Sequence, residues 1–280
     1  MEDIRRFLQE DVGLGDVTSD ALFTEEQAKG WIYPRKKCML AGLEEAEMVF
    51  KALGLHTRRR AVDGKWARAN KPVLVVHGRA ADMLKGERLA LNFLMRMSGI
   101  ATETARIVER CARRRRKALI AGTRKTVPGF RKYDKKAIRL GGGWPHRMTL
   151  YDAVLIKDNH LSLVSISEAV RRTKRADKDI EVEVSDFKDA VEAAEAGADI
   201  VMLDNMEIER AKNVANKLRL RFPRIRIEVS GGITPKSACR YARFADIVSL
   251  GSLTHSVKAA DFTMDVEPLP QSEKRRSRKR

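Results

Sequence analysis

Residues 180–204 read IEVEVSDFKDAVEAAEAGADIVMLD, and the texture of that stretch sets the fold class. Ile180–Val184 is short, apolar and β-branched, which predicts a buried strand. Phe187–Ala196 carries a helical pattern, and Asp199–Leu203 is again a short apolar run. The same alternation extends in both directions. Strands are predicted at Ala118–Ala121, Ala153–Ile156, Ile225–Val229 and Asp246–Leu250, and helices at Ser165–Lys174, Ile208–Leu220 and Pro235–Phe244. Repeated strand–helix units imply a parallel sheet, and in such folds the active site lies where the strands end. The residues at or just past those ends are Arg124, Lys157, Glu183, Asp204, Ser230 and Gly251. A barrel gathers them into one mouth, whereas an open sheet spreads them in a line.

The chain before this region reads differently. Ile4, Phe7 and Leu8 mark a short entry helix over residues 2–10, followed by turn residues through Gly13, Gly15 and Asp16. A strand over Lys29–Met39, a helix over Leu43–Leu53 and a hairpin over Thr57–Gly78 turning at Asp63–Gly64 make a small α+β domain. From Ala80 to Arg116 the pattern is helical, with a break expected at Ser98–Gly99. The predicted organisation is an α+β domain over 1–115, an α/β barrel over 116–256, and a segment 257–280 whose basic end, after Gln271, is expected to be disordered.

The chain of 280 residues is long enough for a sizeable core. It has no apolar run near the roughly 20 residues needed to cross a bilayer, and its first residues, MEDIRR, carry acids and no signal-peptide core. A cytosolic protein is expected. Cys38, Cys111 and Cys239 are far apart and show no metal-site spacing, so they are expected as buried thiols with neither a disulfide nor zinc. The net charge of +18 raises the possibility of nucleic-acid binding. Its scatter over Arg58–Arg60, Arg113–Lys117, the region after Pro128 and Lys274–Arg280, without any recognition motif, restricts that expectation to weak, nonspecific binding.

Between the first two barrel strands lies AGTRKTVPGFRKYDKKAIRLGGGWPHRMTLYDAVLIKDNH, residues 121–160, dense in cations, glycines and histidines. Arg124 and Arg147 offer planar forks that match carboxylate or phosphate oxygens, and Lys125 and Lys157 offer movable point charges. Such a set, with His146, suits an anionic ligand. Arg131, Lys132, Lys135, Lys136 and Arg139 are expected instead as the solvated face of one helix. An acid after a buried strand is commonly a helix cap. Two of them, Glu183 and Asp204, at neighbouring strand ends and facing cations, favour metal binding or ribose recognition, with Mg²⁺ the ion that suits such oxygens. Ser230–Gly231–Gly232 and Gly251 follow the last two strands, where backbone N–H groups can seat a phosphate.

GTRKT, then PG, a Lys–Tyr pair, GGG, HR and LIKDNH resembles the signature of the quinolinate phosphoribosyltransferase family, the carboxylating nicotinate-nucleotide pyrophosphorylases. The likeness extends from Gly13–Leu–Gly–Asp–Val–Thr18 through Glu87–Arg88 and Ser98–Gly–Ile–Ala–Thr102 to Gly251–Ser–Leu–Thr–His–Ser256. Val127, Phe130 and Ser252 depart mildly from the family pattern, and none removes a charge. The resemblance implies a small α+β domain followed by an incomplete α/β barrel. It also implies a homodimer, or a multiple of dimers, in which Arg88 reaches the site of the other chain. The reaction it implies joins quinolinate to 5-phosphoribosyl 1-diphosphate with loss of carbon dioxide. In that reading Arg88, Arg124, His146 and Arg147 hold the carboxylates, and Lys125 and Lys157 contact the diphosphate or substrate anions nearby. Glu183 and Asp204 bind Mg²⁺ and ribose, while Ser230, Gly231, Gly232 and Gly251 seat the 5-phosphate.

Two other readings are distinguishable. A related pyrophosphorylase-like enzyme, or a nicotinate-type phosphoribosyltransferase, would keep the acids and the phosphate seat but need fewer carboxylate-binding cations. A basic nucleic-acid-binding protein would show a steep salt-dependent affinity and no turnover of the diphosphate sugar.

Overall fold

In a computed structural model, which describes residues 2–113 and 118–269, the chain forms two compact units. One comprises residues up to Thr102 together with those from Lys258 on, and the other runs from Glu103 to Val257. The first two-thirds of the helix that opens at Ala80 therefore belongs to one unit and its end to the other. The division differs from the expected boundaries at 115 and 257 because packing ignores the order of the chain.

The first unit begins with α1 (Glu2–Val12) and α2 (Val17–Leu22), the latter capped by the Asp16 carboxylate, which accepts from the backbone of Thr18 and Ser19. Then come β1 (Gln27–Pro34), β2 (Cys38–Met39), α3 (Leu43–Ala52), β3 (His56–Arg59), β4 (Trp66–Ala67), β5 (Leu74–Arg79) and α4 (Ala80–Ala112). Strand β1 alternates half-buried and buried residues along its length, as a strand with one face on a core should. Three sequence expectations are corrected here. The run Lys29–Met39 is two strands, because Pro34 ends β1. The region Thr57–Gly78 is not a simple hairpin about Asp63–Gly64. Strand β3 pairs with β5, while β4 beyond that turn pairs with β2. Helix α4 also runs unbroken through Ser98–Gly99. The Ser98 hydroxyl bonds both the N–H and the carbonyl of Ala41, and a Cβ on Gly99 would meet the Lys258 carbonyl at 2.4 Å. Small residues there permit close approach of other chain segments, which outweighs their helix-breaking tendency.

The second unit contains β6 (Leu119–Ala121), α5 (Arg131–Leu140), β7 (Val154–Ile156), α6 (Asp158–Leu161), α7 (Ile166–Thr173), β8 (Ile180–Val184), α8 (Phe187–Ala196), β9 (Ile200–Asp204), α9 (Ile208–Arg221), β10 (Arg226–Ser230), α10 (Ala238–Tyr241), β11 (Ile247–Ser249) and α11 (Ser252–His255). All six predicted strands and all the predicted helices of this region are present; Ile180–Val184 and Phe187–Ala196 have the predicted bounds, and the others differ at one end or both. The largest shift is at α10, shorter than the span expected from Pro235 to Phe244. The strands are parallel in the order β6-β11-β10-β9-β8-β7, leaving β6 and β7 as edges of an incomplete barrel. Trp144 makes a bridge to Ala121 on the β6 side of that gap.

After the barrel the chain forms β12 (Phe262–Pro268), which pairs antiparallel with β1 and completes a sheet of order β12-β1-β5-β3. This strand was not anticipated in the segment after residue 257. The basic end after Gln271 and the charges at 114–117 lie outside the described residues.

Period-two alternation divides each barrel strand between two environments. One set of residues, including Val182, Val184, Val201, Leu203, Ile227, Val229 and Val248, packs outward in a cluster with residues of α7, α8 and α9. The other set points inward. Among them Ala121, Ile200 and Ile247 form a small apolar cluster packed on Trp144. The register aligns Glu181 with Leu155 and Ile200, and Glu228 with Met202 and Ile247. Ser230 stands opposite Asp204 one step up, and Glu183 follows Glu181 on its strand at the same interval.

Cys111 and Cys239 form a disulfide joining α4 to α10, which overturns the expectation of three thiols. Their separation of 128 residues carries no spacing signal, so only the fold brings them together. Cys38 remains a buried free thiol. No described helix is long and apolar enough to cross a membrane.

Candidate functional site

Strand ends converge on a cavity of 690 Å³ at the mouth of the barrel. Its lining includes Arg124, Lys125, His146, Arg147, Lys157, Glu183, Asp204, Ser230, Gly231, Gly232 and Gly251. Every site residue expected from the sequence is therefore in one place except Arg88, which is exposed on α4 of the first unit and is not part of this lining.

The polar ends are held in defined partnerships. Lys157 donates to Glu183 Oε2 at 2.5 Å, and among the described residues no hydrogen bond is made to the other oxygen of Glu183. The Asp204 carboxylate accepts from the side chain of Asn205. Asn205 has a left-handed backbone and donates its N–H to the Ser230 carbonyl at 3.0 Å. That crossing leaves no room beside Gly231, where a Cβ would lie 2.6 Å from Asn205 N, and Gly231 itself has φ near 80°. The loops after β9 and β10 can approach this closely only because residue 231 is glycine. Next to them, Lys125 Cδ lies 3.6 Å from the position a Cβ would take on Gly251.

Two buried polar atoms of this mouth have no protein partner among the described residues, Arg124 Nε and Ser252 Oγ. Buried donors left unpaired are costly, and an anion supplies what they lack. Arg124 sits after β6 and Ser252 at the start of α11, so two separate stretches of chain point to anionic ligands.

Beneath the mouth lies a layer the sequence reading missed. Glu181 and Glu228 are buried inside the barrel at 2% and 0% exposure. His146 Nε2 lies 3.1 Å from Glu228 Oε2 and 3.5 Å from Glu181 Oε2, and ligand atoms of the three side chains fall within 4.8 Å of one another. Ser249 donates to the other oxygen of Glu228 at 2.5 Å. Burial, above all, raises both carboxyls from the ordinary range, and their mutual repulsion adds to the rise at Glu181. Burial lowers the pKa of the His146 imidazole despite the attraction of Glu181, and its Nε2 is within hydrogen-bond distance of Glu228. The signal for these acids was in the sequence. Glu181 is two residues from Glu183, and Glu228 two from Ser230, so each shares a strand face with a residue already singled out.

Lys135 is a second correction. Far from standing on a solvated helix face, it is 1% exposed, and its ammonium donates to the carbonyls of Pro145 and Arg147, the latter at 3.0 Å. Burial, then the charges of Arg131, Arg124 and Arg147, pushes its pKa down to about 8. Arg131 is likewise engaged, donating to the Met148 carbonyl at 3.2 Å and to Thr126 Oγ1. Lys132 and Arg139 are exposed as expected. The loop 145–149 is fixed further by Asp152, whose carboxylate accepts from the N–H groups of Met148 and Thr149.

The chain is similar to known proteins over most of its length. Residues 16–98 match the family model described as quinolinate phosphoribosyl transferase, N-terminal domain, and residues 100–265 match the C-terminal domain of the same family. The probable carboxylating nicotinate-nucleotide pyrophosphorylase of Methanocaldococcus jannaschii is 41% identical over 273 residues, covering 94% of this chain and 95% of that protein. The carboxylating nicotinate-nucleotide pyrophosphorylase of Mycobacterium leprae is 37% identical, covering 94% and 95%. The crystal structure of NadC from Streptococcus pyogenes superposes with a TM-score of 0.87 at 36% identity, covering 96% of each chain.

Proposed function

The chain belongs to the quinolinate phosphoribosyl transferase family, and on that footing we propose how the barrel mouth performs the family's chemistry. The reaction joins quinolinate and 5-phosphoribosyl 1-diphosphate to form nicotinate mononucleotide, diphosphate and carbon dioxide, a step of NAD biosynthesis. The observation that carries the assignment of roles is the meeting of Arg124, Lys125, Arg147 and Lys157 with Glu183 and Asp204 in one cavity. Cations alone would suit any polyanion. Cations facing a pair of acids suit a substrate whose reacting carbon becomes positive as its leaving group becomes negative.

In this reading the pyridine nitrogen of quinolinate attacks the anomeric carbon of the ribose, the carbon–oxygen bond to diphosphate breaks, and the electron pair leaves with the diphosphate. Glu183 and Asp204 lie on the side of the ribose and favour the cationic transition state, while Lys125 and Lys157 favour the departing anion. Arg124 and Arg147 grip the two carboxylates through their planar forks. The ring nitrogen, now alkylated and cationic, stabilises the electron pair that stays on the adjacent ring carbon as its carboxylate departs as carbon dioxide, and that carbon then takes up a proton. No protein nucleophile takes part, so the work of the protein is orientation and placement of charge. The backbone of Ser230–Gly232 and Gly251, with the hydroxyl of Ser252, seats the 5-phosphate.

Glu183 and Asp204 have the hard oxygen donors that suit Mg²⁺, and each keeps an oxygen beyond its contact with Lys157 or Asn205. Bound there with the diphosphate, the ion would neutralise charge on the leaving group. The active assembly is a homodimer, or a multiple of it, in which Arg88 of a second copy adds a third guanidinium to the carboxylate site. We place the enzyme in the cytoplasm and expect at most nonspecific contact with nucleic acid. The deciding assay measures release of carbon dioxide from carboxyl-labelled quinolinate in the presence of the diphosphate sugar. Turnover of nicotinate in preference to quinolinate would replace this reading with a nicotinate-type transferase, and turnover of neither would leave the cationic mouth unexplained by this chemistry.

A further inference from the structure

His146 departs from the role its motif suggests. Its Nδ1 accepts the N–H of Arg147 at 2.8 Å. A backbone N–H can only donate, so Nδ1 carries the lone pair and the proton of the neutral ring sits on Nε2. That proton is directed at Glu228 Oε2, 3.1 Å away. Both ring nitrogens are thus engaged within the protein, and neither has a hydrogen bond left for a carboxylate of the substrate.

The backbone at His146 is left-handed, with φ near 57°. A residue other than glycine holds that conformation only where its surroundings enforce it. The enforcement is visible on every side. Glu228 holds the ring from below, Trp144 packs on it with ring centroids 4.6 Å apart, and Lys135 ties down the carbonyls of the residues before and after it. The turn so fixed delivers Arg147, whose guanidinium donates to the Ala153 carbonyl at 3.4 Å and borders the mouth cavity. Glu228 is itself fixed by Ser249, and its strand places it one inward-facing step beneath Ser230.

We propose that Glu228 is a positioning residue for quinolinate. Through the Nε2–H of His146 it locks the left-handed turn that aims Arg147 at a substrate carboxylate. The inference deepens the reading above and rests on it for the identity of the ligand. Its distinguishing feature is that the effect of Glu228 passes through Arg147. A displacement on the order of 1 Å in a positioning group can cost about a hundredfold, so Glu228→Ala should raise the KM for quinolinate by roughly tenfold to a hundredfold while that for the diphosphate sugar stays within about twofold. Glu228→Gln retains an acceptor oxygen for His146 and should recover most of the lost affinity.

The test is a double-mutant cycle with Glu228→Ala and Arg147→Ala, read as the KM for quinolinate, together with nitrogen NMR of the imidazole in the unmutated enzyme, assigned with His146→Asn. If the inference holds, the double variant binds quinolinate no worse than Arg147→Ala alone, and the ring is the neutral Nε2–H tautomer at pH 7. Effects that multiply in the double variant, or an unchanged KM in folded Glu228→Ala, would overturn it. So would an Nδ1–H tautomer or an imidazolium, a measurement that stands even if Glu228→Ala does not fold. Absence of quinolinate turnover in the unmutated enzyme would instead count against the reaction, leaving the NMR result to judge the positioning role.

Discussion

Breaking the link between Cys111 and Cys239 should weaken the barrel unit without altering its chemistry. The bridge ties the end of α4 to α10 across 128 residues of chain. Neither cysteine lines the mouth cavity. In the chain-entropy relation, closing a loop of that length restricts the unfolded state by about 4.9 kcal/mol at 25 °C, while measured bridges typically contribute about 2–4 kcal/mol. For a unit of this size each kcal/mol moves the midpoint by about 2–4 °C, so the paired variant Cys111→Ser/Cys239→Ser should melt roughly 5–15 °C below the unmutated protein. Thermal unfolding followed by circular dichroism, with and without reductant, gives the comparison. Thiol titration of the unfolded protein, with one reactive thiol expected from Cys38 before reduction, confirms the starting state. The variant should be insensitive to reductant and retain its turnover at 25 °C. Equal midpoints for variant and unmutated protein, in material shown to be oxidised, would refute the argument that the bridge restricts the unfolded chain. Loss of turnover below the melting range would show that the bridge shapes the site.

Three further outcomes bear on the mouth. Glu183→Gln and Asp204→Asn should each lower kcat at least roughly tenfold, since that requires the loss of only about 1.4 kcal/mol of transition-state stabilisation; full activity across a Mg²⁺ titration would reassign that acid as a structural cap. Arg147→Lys keeps the charge but loses the planar fork, so the KM for quinolinate should rise with little change for the diphosphate sugar, and an equal loss for both would make Arg147 a general support of the loop. Arg88→Ala and Lys157→Ala should each be nearly inactive as homodimers. After subunit exchange verified with differently tagged chains, about half the dimers are mixed and one of their two sites is intact, restoring roughly a quarter of the activity, whereas mixed dimers without activity would mean that Arg88 is not supplied in trans.

Much of this protein is written in local pattern. Short β-branched runs separated by helical ones are enough to name six parallel strands, and the polar residue ending each run identifies the mouth. Lys157, Glu183, Asp204 and Ser230 were legible for that reason, because strand periodicity reports which residues share a face and where a strand stops. Motif resemblance added the reaction, which no periodicity contains. Ser98–Gly99 shows the limit of local signals: both residues weaken a helix in isolation, yet α4 continues through them because the fold uses their small size against Ala41 and Lys258. Lys135 shows it again, since a lysine on an amphipathic helix reads as solvated until a loop of unpaired carbonyls is folded over it.

What only the tertiary structure decided is which distant residues meet. Glu181 and Glu228 each stand out as an acid within an apolar strand, but their partnership with His146 arises when the sheet curves and carries a loop from beyond β6 over the inner face of β8 and β10. Cys111 and Cys239 pair for the same reason, as does β12 with β1 at the other end of the chain. Local conformation is set by steric and hydrogen-bond preferences that act over a few residues, so a sequence displays it directly. Long-range pairing is set by how hydrophobic faces close upon one another, a property of the assembled sheet and helices that no single stretch of residues carries.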